Sequence, residues 1–320
     1  MRKNLLRSIL VLCIGATALS AYAQPAIPRK YVEHPGFSLG INFGMSDLWG
    51  DVGTQNFVDH YNNDKYFDKP TFMGGIFFRY VAHPSVGMRL NINYGTLYAT
   101  DEWNINKAKS ATSVEDDAYQ RYLRNQDARA NVWEATFMFE LMPLRWNSES
   151  KVAQKAMQPY LTAGVGGFYF RPQTSLIDPL TGRKRWVDTR DLQLEGDGVP
   201  NSGARATTPF QIAVPVGLGL RWDIGNNMMF GFEYLYRFTT TDRLDNVSSE
   251  YVSKAYFDRH LSEEYAETAK QVYDKSWYIE PGSTNAPGST RGNKEILDGY
   301  STFSIQFIYR LETNKIPWWY

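Results

Sequence analysis

Residues 209–241 read PFQIAVPVGLGLRWDIGNNMMFGFEYLYRFTTT. Apolar side chains occupy every second position from Phe210 to Trp222 and again from Phe230 to Phe238, with mostly glycine, polar or charged residues between them. Because successive side chains of a strand point to opposite faces, this period of two predicts two β-strands. Gly225-Asn226-Asn227 lies between them, and these residue types tolerate the positive φ of a tight hairpin turn. Each strand is long enough to cross a bilayer at a tilt, which takes roughly 9–11 residues.

The same alternation recurs in the rest of the chain. The further predicted strands are Phe37–Met45, Phe72–Tyr80, Val86–Tyr94, Val132–Leu141, Tyr160–Phe170 and Tyr300–Leu311. The strand Tyr160–Phe170 is rich in glycine, and its sequence leaves open which side chains face which way. Long polar segments near residues 46–70, 97–130, 171–208 and 242–298 alternate with shorter connections. This order predicts an all-β fold, an eight-stranded antiparallel transmembrane β-barrel with long extracellular loops and short periplasmic turns.

Two of the long loops carry helical patterns. A short helix is expected near residues 113–123, and a longer helical insert is expected at residues 248–274. The insert combines helix-forming residues, a serine at its start and apolar residues at helical spacing.

The first 23 residues have the features of a secretory signal peptide. Arg2, Lys3 and Arg7 precede an apolar run, and Ala21-Tyr22-Ala23 supplies a cleavage site with small residues. A membrane anchor is the alternative, but the apolar run is short for one. The only cysteine, Cys13, lies inside this segment, so the mature barrel domain, residues 24–320, has no thiol for a disulfide or a metal. With 34 basic and 34 acidic residues, the chain has no charge excess that would indicate a nucleic-acid partner.

Alternation alone fits a secreted soluble barrel with an apolar interior as well as a membrane barrel with an apolar exterior. Two features favour the membrane barrel. The predicted strands contain no lysine, although a water-facing sheet surface normally recruits some. Their polar faces combine glycine with scattered arginine and glutamate, which suits the crowded interior of an eight-stranded barrel. We therefore expect the polar face to line the lumen and the protein to lie in the cell outer membrane, in contact with its lipids.

Charged residues fall on the face that we assign to the lumen. They are Arg79, Arg89, Glu134, Glu140, Arg221, Glu233, Arg237 and Arg310. Since buried charges persist when they are paired, we expect a lumen charge network in which Glu233 pairs with Arg221, diagonally across the hairpin. An ion path is the functional alternative, although the lumen of eight strands is narrow for an open channel. Pro215 has no N–H to donate to a neighbouring strand, so a β-bulge is expected there.

The sequence offers no constellation that indicates catalysis. The histidines lie outside the strand cores; they are His34, His60, His83 and His260. No serine or acidic partner is recognisably arrayed with one of them at a strand end, as a barrel enzyme would require. The Asp-rich loop segments lack the Asp-x-Asp-x-Asp-Gly spacing of a calcium loop. We therefore predict no catalytic, cofactor-binding or metal-binding residues, and a structural or interaction protein instead of an enzyme.

Several segments resemble one family. They are Trp49-Gly50-Asp51-Val52-Gly53, the run from Pro159 to Phe170, the run from Ile212 to Gly219, and the run from Tyr236 to Ser248. In this order and spacing the chain resembles the PorG-like outer-membrane barrels of the type IX secretion system of Bacteroidetes. The resemblance implies a non-enzymatic component of the secretion apparatus that contacts its periplasmic ring, formed by a lipoprotein and its partner. A stand-alone surface barrel is the alternative, and an envelope lipid-modifying enzyme is a third hypothesis.

If the short connections face the periplasm, partner contacts would come from them. The connector at residues 143–157 is the longest of these and carries Arg145, Trp146, Lys151 and Lys155. Arginine and aromatic residues are frequent interface anchors, so these four are the candidate periplasmic contacts. The aromatic residues of the C-terminal tail fit membrane anchoring better, because Trp and Tyr collect at bilayer interfaces.

Overall fold

Eight long strands build the wall of a barrel, and a short additional strand extends it at one end. The computed structural model describes residues 36–311 except 55, 62, 64, 148–155, 179–180, 198–207 and 225–226, so the predicted signal peptide lies outside the described residues. The strands are β1 (Gly36–Trp49), β2 (Thr71–His83), β3 (Val86–Thr100), β4 (Asp127–Leu141), β5 (Met157–Ile177), β6 (Lys184–Asp188), β7 (Phe210–Asp223), β8 (Met228–Thr239) and β9 (Gly299–Arg310).

The wall strands close into a ring. Their order around the sheet is β4–β3–β2–β1–β9–β8–β7–β5, and pairing of β4 with β5 joins the two ends. All of these pairings are antiparallel. β6 pairs with the outer part of β5, beyond the ring. Closure leaves no unpaired strand edge in the wall, which is what a bilayer requires. The predicted eight-stranded antiparallel barrel is therefore confirmed.

The two faces of the wall differ sharply in exposure. On the outside, Phe43 is 61% exposed and Ile41 is 56% exposed, whereas Arg79 and Arg89 on the inside are 0% and 1% exposed. Glycines allow the strands to approach closely on the inner face: a Cβ at Gly44 would collide with the carbonyl oxygen of Phe303. The apolar side chains thus face outwards and the polar ones fill the lumen.

Aromatic side chains edge the apolar band at both rims. At the end that carries the long loops (the loop end), Tyr94 packs on Trp133 with ring centroids 4.6 Å apart. At the end that carries the short turns (the turn end), Phe37 packs on Tyr80 at 4.8 Å. An apolar band between two aromatic girdles is typical of outer-membrane barrels, and the outer surface therefore matches lipid.

Most strands are longer than the sequence predicts, mainly towards the loop end. The last part of β3, from Leu97 to Thr100, is buried on both faces because loop residues cover it. Without one exposed face, the alternation that marks a strand in the sequence disappears. β6 was not predicted, since it lies in the segment that we assigned to a loop. For β5 the sequence left open which side chains face the lumen. The structure shows that Tyr160 and Phe168 point inwards, while Leu161 is 53% exposed on the outside.

The bulge expected at Pro215 is absent, and this prediction is wrong. The pairing of β7 with β5 is interrupted opposite Gly164 and Val165 and resumes in the same register at Gly166. On the other side, Pro215 stays in register with Arg237 of β8. The missing N–H is therefore accommodated by a local gap in one ladder and not by an extra residue.

Short helices lie in the loops. The α-helices are α1 (Phe57–Tyr61), α2 (Ile105–Ala108), α3 (Asp117–Arg124), α4 (Lys254–His260) and α5 (Glu263–Val272), and 3₁₀ turns occur at Tyr66–Asp68, Asp101–Asn104, Pro143–Arg145, Arg190–Leu192 and Ser276–Tyr278. α3 starts later than predicted, where Asp116 caps the backbone N–H groups of Ala118 and Tyr119. The single insert expected at 248–274 is two helices, because Leu261 is extended (φ −115°, ψ 159°).

The long connections form an ordered layer above the barrel. This loop layer consists of the described residues of 50–70, 101–126, 178–197 and 240–298. One apolar cluster joins the layer to the upper barrel and includes Trp103, Phe168 and Tyr300. A second cluster packs α4 and α5 against Leu192 and Leu194. Within the described part of the chain, no helix has the length and apolar character needed to span a membrane.

Candidate functional site

Glu140 is the centre of the charge network in the lumen. Arg79 Nε lies 2.5 Å from its Oε2, and Arg221 donates to both carboxylate oxygens at 2.9 and 3.0 Å. Arg89 Nη1 lies 3.6 Å from Oε1. These side chains come from β2, β3, β4 and β7, and none is more than 4% exposed. One carboxylate therefore contacts three guanidinium groups and ties four strands together.

Glu233 and Glu134 form two further centres. Glu233 accepts hydrogen bonds from Arg89 Nη2 at 2.7 Å and from the Tyr160 hydroxyl at 2.9 Å. Glu134 accepts from Arg237 Nε at 2.7 Å and from the Tyr300 hydroxyl at 2.6 Å. Tyrosine donors thus complete the ion pairs, as buried charges require.

The expected pairing of Glu233 with Arg221 is a prediction that the structure corrects. The register does put them diagonally across the hairpin, since Arg221 lies opposite Gly231 and Glu233 lies opposite Gly219. The Arg221 side chain instead crosses the lumen to Glu140, with its guanidinium carbon 4.3 Å from the centre of the Tyr160 ring. Hairpin register alone could not reveal this partner, because strands across the barrel supply it.

Arg310 lies at the turn end of the lumen, apart from the other predicted network residues. It forms an ion pair with Asp223, and Arg145 Nη2 lies 2.9 Å from the same carboxylate. Asp223 was not among the predicted lumen residues. Arg145 is 3% exposed, so it stabilises the turn end instead of offering itself to a partner.

Among the other candidate periplasmic contacts, Trp146 is 71% exposed at the turn end. Lys151 and Lys155 lie outside the described residues. Of the candidate periplasmic contacts that the structure describes, Trp146 is therefore the exposed one.

The lumen is filled by side chains. The cavity beside Arg89, Asn91 and Glu233 has a volume of about 10 Å³, which is room for about one water molecule. Such a cavity does not provide an aqueous path, and the paired charges around it serve the packing of the wall. The lumen network therefore supports the structural interpretation over the ion path.

Buried carboxylates hold the loop layer together. Glu195 accepts from Arg291 at 2.5 Å and from Arg243 at 2.9 Å, and also from the backbone N–H of Ser248 at 2.8 Å. Burial opposes ionisation of Glu195, but Arg291 and Arg243 outweigh it and keep its pKa below the ordinary value. A single carboxylate thus connects the segment 178–197 with the segment 240–298.

Two aspartates make similar connections elsewhere in the layer. Asp101 accepts from Gly53 N at 3.1 Å and from Arg124 Nη2 at 2.8 Å, which joins the first two long loops. Asp127, at the loop end of β4, lies 2.6 Å from Lys275 Nζ. The loop layer is therefore fixed by ion pairs between segments distant in sequence.

Gly50 and Asp245 bring together two of the segments that carry the family resemblance. Val52 N donates to Asp245 Oδ2 at 2.8 Å. A Cβ at Gly50 would lie 2.5 Å from that oxygen and 2.6 Å from Asp298 Oδ1, so a larger residue would displace both carboxyl groups. Residues 49–53 and 236–248 consequently meet in one buried unit of the loop layer.

The carboxyl groups around Gly50 retain protons at an unusually high pH. Burial, with Asp51 nearby, raises the pKa of Asp245 to about 7. Burial and the neighbouring Asp245 and Asp242 raise the pKa of Asp298 well above its ordinary value. Loss of these protons would place like charges side by side in a buried space.

Sequence reasoning missed the carboxylates of the loop layer because it treated their segments as polar loops. One feature of the sequence could have indicated buried carboxylates. Within residues 239–248, the acidic Asp242 and Asp245 alternate with the apolar Leu244 and Val247. Within the described residues, no group of three or more histidine, cysteine, aspartate or glutamate side chains is arranged to hold a metal ion.

The sequence matches no known family model, and no curated protein matches it. Solved structures give distant likenesses. Ail of Yersinia pestis, solved with the heparin analogue sucrose octasulfate, is 10% identical, with 87% of this chain and 100% of that chain covered and a TM-score of 0.35. Neisserial surface protein A is 9% identical, with 87% and 100% covered and a TM-score of 0.35. OprG of Pseudomonas aeruginosa is 10% identical, with 88% and 98% covered and a TM-score of 0.34.

Proposed function

We propose that this chain is a non-enzymatic outer-membrane β-barrel that serves the type IX secretion apparatus and contacts its periplasmic ring. The observation that carries the proposal is the contact between residues 49–53 and 236–248. These are two of the segments on which the resemblance to PorG-like barrels rests. Their contact in one buried unit supports the proposal, because motifs far apart in the sequence meet at one place in the fold.

The filled lumen limits what such a barrel can do. With Glu140 in ion pairs with three arginines in its interior, the barrel acts by contact at its two ends and not by conduction. A signal peptide at residues 1–23 would direct it to the envelope. Lipid surrounds its apolar band, and proteins meet it at the rims.

The turn end is the surface that we assign to the periplasmic ring, a lipoprotein and its partner. Trp146 is the strongest anchor there, since it is 71% exposed, and Leu144 beside it is 41% exposed. Exposed aromatic and apolar side chains are frequent at the centres of interfaces. Lys151 and Lys155 would add charge to the same connector.

A stand-alone surface barrel is the second candidate. The ordered loop layer favours it, because buried pairs such as Asp127–Lys275 preorganise a large surface at the loop end. A lipid-modifying enzyme has less support: His83 Nδ1 lies 2.7 Å from Ser85 Oγ at the turn end and His60 Nδ1 lies 3.1 Å from Thr54 Oγ1 in the loop layer, but both hydroxyl-bearing residues are buried, at 1% and 8% exposure.

Deletion followed by complementation tests these alternatives. Loss of cargo export on deletion, restored by the parent gene, supports the secretion role; normal export favours the stand-alone barrel, and an altered lipid profile favours the enzyme. In the complemented strain, Trp146→Ala should weaken co-purification of the ring proteins in mild detergent while the barrel still folds. Phe57→Ala is the matched control, because Phe57 is an exposed aromatic residue (56%) at the opposite end.

A further inference from the structure

A polar cleft opens in the loop layer between α3 and residues 276–293. Its volume is about 390 Å³, within the range of about 300–1,000 Å³ that is usual for small-molecule sites. Hydroxyl and amide groups dominate its walls, and the side chains that matter most are Gln120, Tyr251, Ser283, Asn285 and Thr290.

The arginines in the cleft are already compensated by the protein. Arg124 donates to Asp101 at 2.8 Å, Arg291 donates to Glu195 at 2.5 Å, and Arg121 pairs with Asp117 at 3.0 Å. Each of these arginines also donates to a backbone carbonyl. An anionic ligand would have to compete with fixed carboxylates for these guanidinium groups, so the cleft suits an uncharged ligand.

Tyr251 lines this cleft, and its buried hydroxyl is not used in the fold. Tyr251 is 3% exposed, and its hydroxyl has no hydrogen-bond partner among the described residues. Burial raises its pKa to about 12, so the hydroxyl keeps its proton and can donate. A buried polar group left unpaired costs free energy, which a ligand that bonds to it would recover.

The opposite wall adds further groups that are open to a ligand. Ser283 and Thr290 make no side-chain hydrogen bond to the described part of the protein, while Asn285 is held in place by Asp274 Oδ1 at 3.0 Å. The cleft thus combines one fixed amide with three uncommitted hydroxyl groups, those of Tyr251, Ser283 and Thr290. Groups that both donate and accept are complementary to the hydroxyl groups of sugars.

We infer that this cleft binds an uncharged saccharide unit of one or two rings, with the Tyr251 hydroxyl as a donor to a sugar oxygen. The cleft lies at the loop end, which faces the exterior of the cell in an outer-membrane barrel. The inference uses this orientation but no secretion role, so it can be tested on purified protein even if export proceeds normally without the protein.

The test is titration of the full-length barrel in detergent, followed by calorimetry and saturation-transfer NMR. The probes are glucose, galactose, N-acetylglucosamine and lactose, compared with glucuronic acid and glucose 6-phosphate. At least one neutral sugar should bind saturably. Tyr251→Phe should weaken its binding by about 2- to 10-fold, the value of one hydrogen bond. The same variant should unfold no more easily than the parent, because the hydroxyl that it removes is unpaired in the fold.

Thr290→Val and Tyr265→Phe complete the experiment. Thr290→Val keeps the side-chain shape, removes an exposed hydroxyl from the cleft and should also weaken binding. Tyr265→Phe removes a hydroxyl from α5 outside the cleft lining and should leave binding unchanged. The inference is overturned if no neutral sugar saturates below about 10 mM, if the charged sugars bind more tightly, or if Tyr251→Phe binds as the parent does.

Discussion

Replacing Glu140 with glutamine should be the most damaging single charge change in the lumen. Glu140→Gln keeps the size of the side chain and one carbonyl oxygen but removes the negative charge that faces Arg79, Arg89 and Arg221. The inner wall contains four buried arginines, counting Arg237, against the carboxylates of Glu134, Glu140 and Glu233. The parent wall thus has one positive charge in excess, and the substitution leaves two carboxylates for four guanidinium groups, an excess of two.

The magnitude follows from the burial of these groups. Removing one partner of a buried ion pair costs about 3–5 kcal/mol, because the remaining charge stays out of water. Glu140 lies at the upper end of that range, since it is 1% exposed and contacts three guanidinium groups. Glu233→Gln should cost less, because Glu233 compensates Arg89 together with Glu140. Adding Arg221→Met to Glu140→Gln should recover part of the loss by removing one unpaired charge.

Urea unfolding of the barrel refolded in lipid vesicles measures these differences, with tryptophan fluorescence and gel mobility as independent signals. Glu295→Gln is the matched control, because Glu295 is an exposed glutamate in the loop layer and its substitution should change stability by less than about 0.5 kcal/mol. A Glu140→Gln barrel that unfolds within that margin of the parent would refute the lumen network as a source of stability.

Three further outcomes are expected. The closed barrel should migrate differently on a gel before and after boiling, because it has no edge strand from which to fray. The loop layer should lose stability as the pH rises from about 4 to about 7. The reason is that folded Asp245 and Asp298 keep protons that the unfolded chain releases around the ordinary aspartate pKa of 3.8. Asp298→Asn should make the rate of limited proteolysis of the layer depend less on pH. Lys275→Met should leave the buried Asp127 with only the more distant and partly exposed Lys184, 3.7 Å away, as its ion-pair partner, which should speed proteolysis of the layer while the wall stays resistant.

The sequence predicted the wall because one face of each strand meets lipid. That condition enforces strict alternation, as from Phe210 to Trp222, and the observed β7 follows it. Alternation also separates the residues of the lumen face from those of the outer face. It carries no information about partners across the barrel, and this is why Glu140 proved to be the partner of Arg221.

The loop layer was beyond such reasoning for a different physical reason. Its segments are buried on several sides by one another, so no period marks the side that faces inwards. Leu261 interrupts the helical pattern of residues 248–274 through its backbone conformation, which the residue type does not reveal. The ion pair of Asp127 with Lys275 joins residues 148 positions apart, and local sequence cannot predict it.

The filled lumen separates the two ends of the molecule as functional surfaces. Trp146 lies exposed at the turn end, and Tyr251 lies in the cleft of the loop layer, with the paired charges around Glu140 between the two regions. Distant sites that share no partners usually contribute independently. Trp146→Ala should therefore leave saccharide binding unchanged, and Tyr251→Phe should leave co-purification of ring proteins unchanged. If either substitution altered binding at the other end, a conformational change would have to pass along the barrel wall. The conclusion that buried ion pairs keep the lumen rigid would then be incorrect.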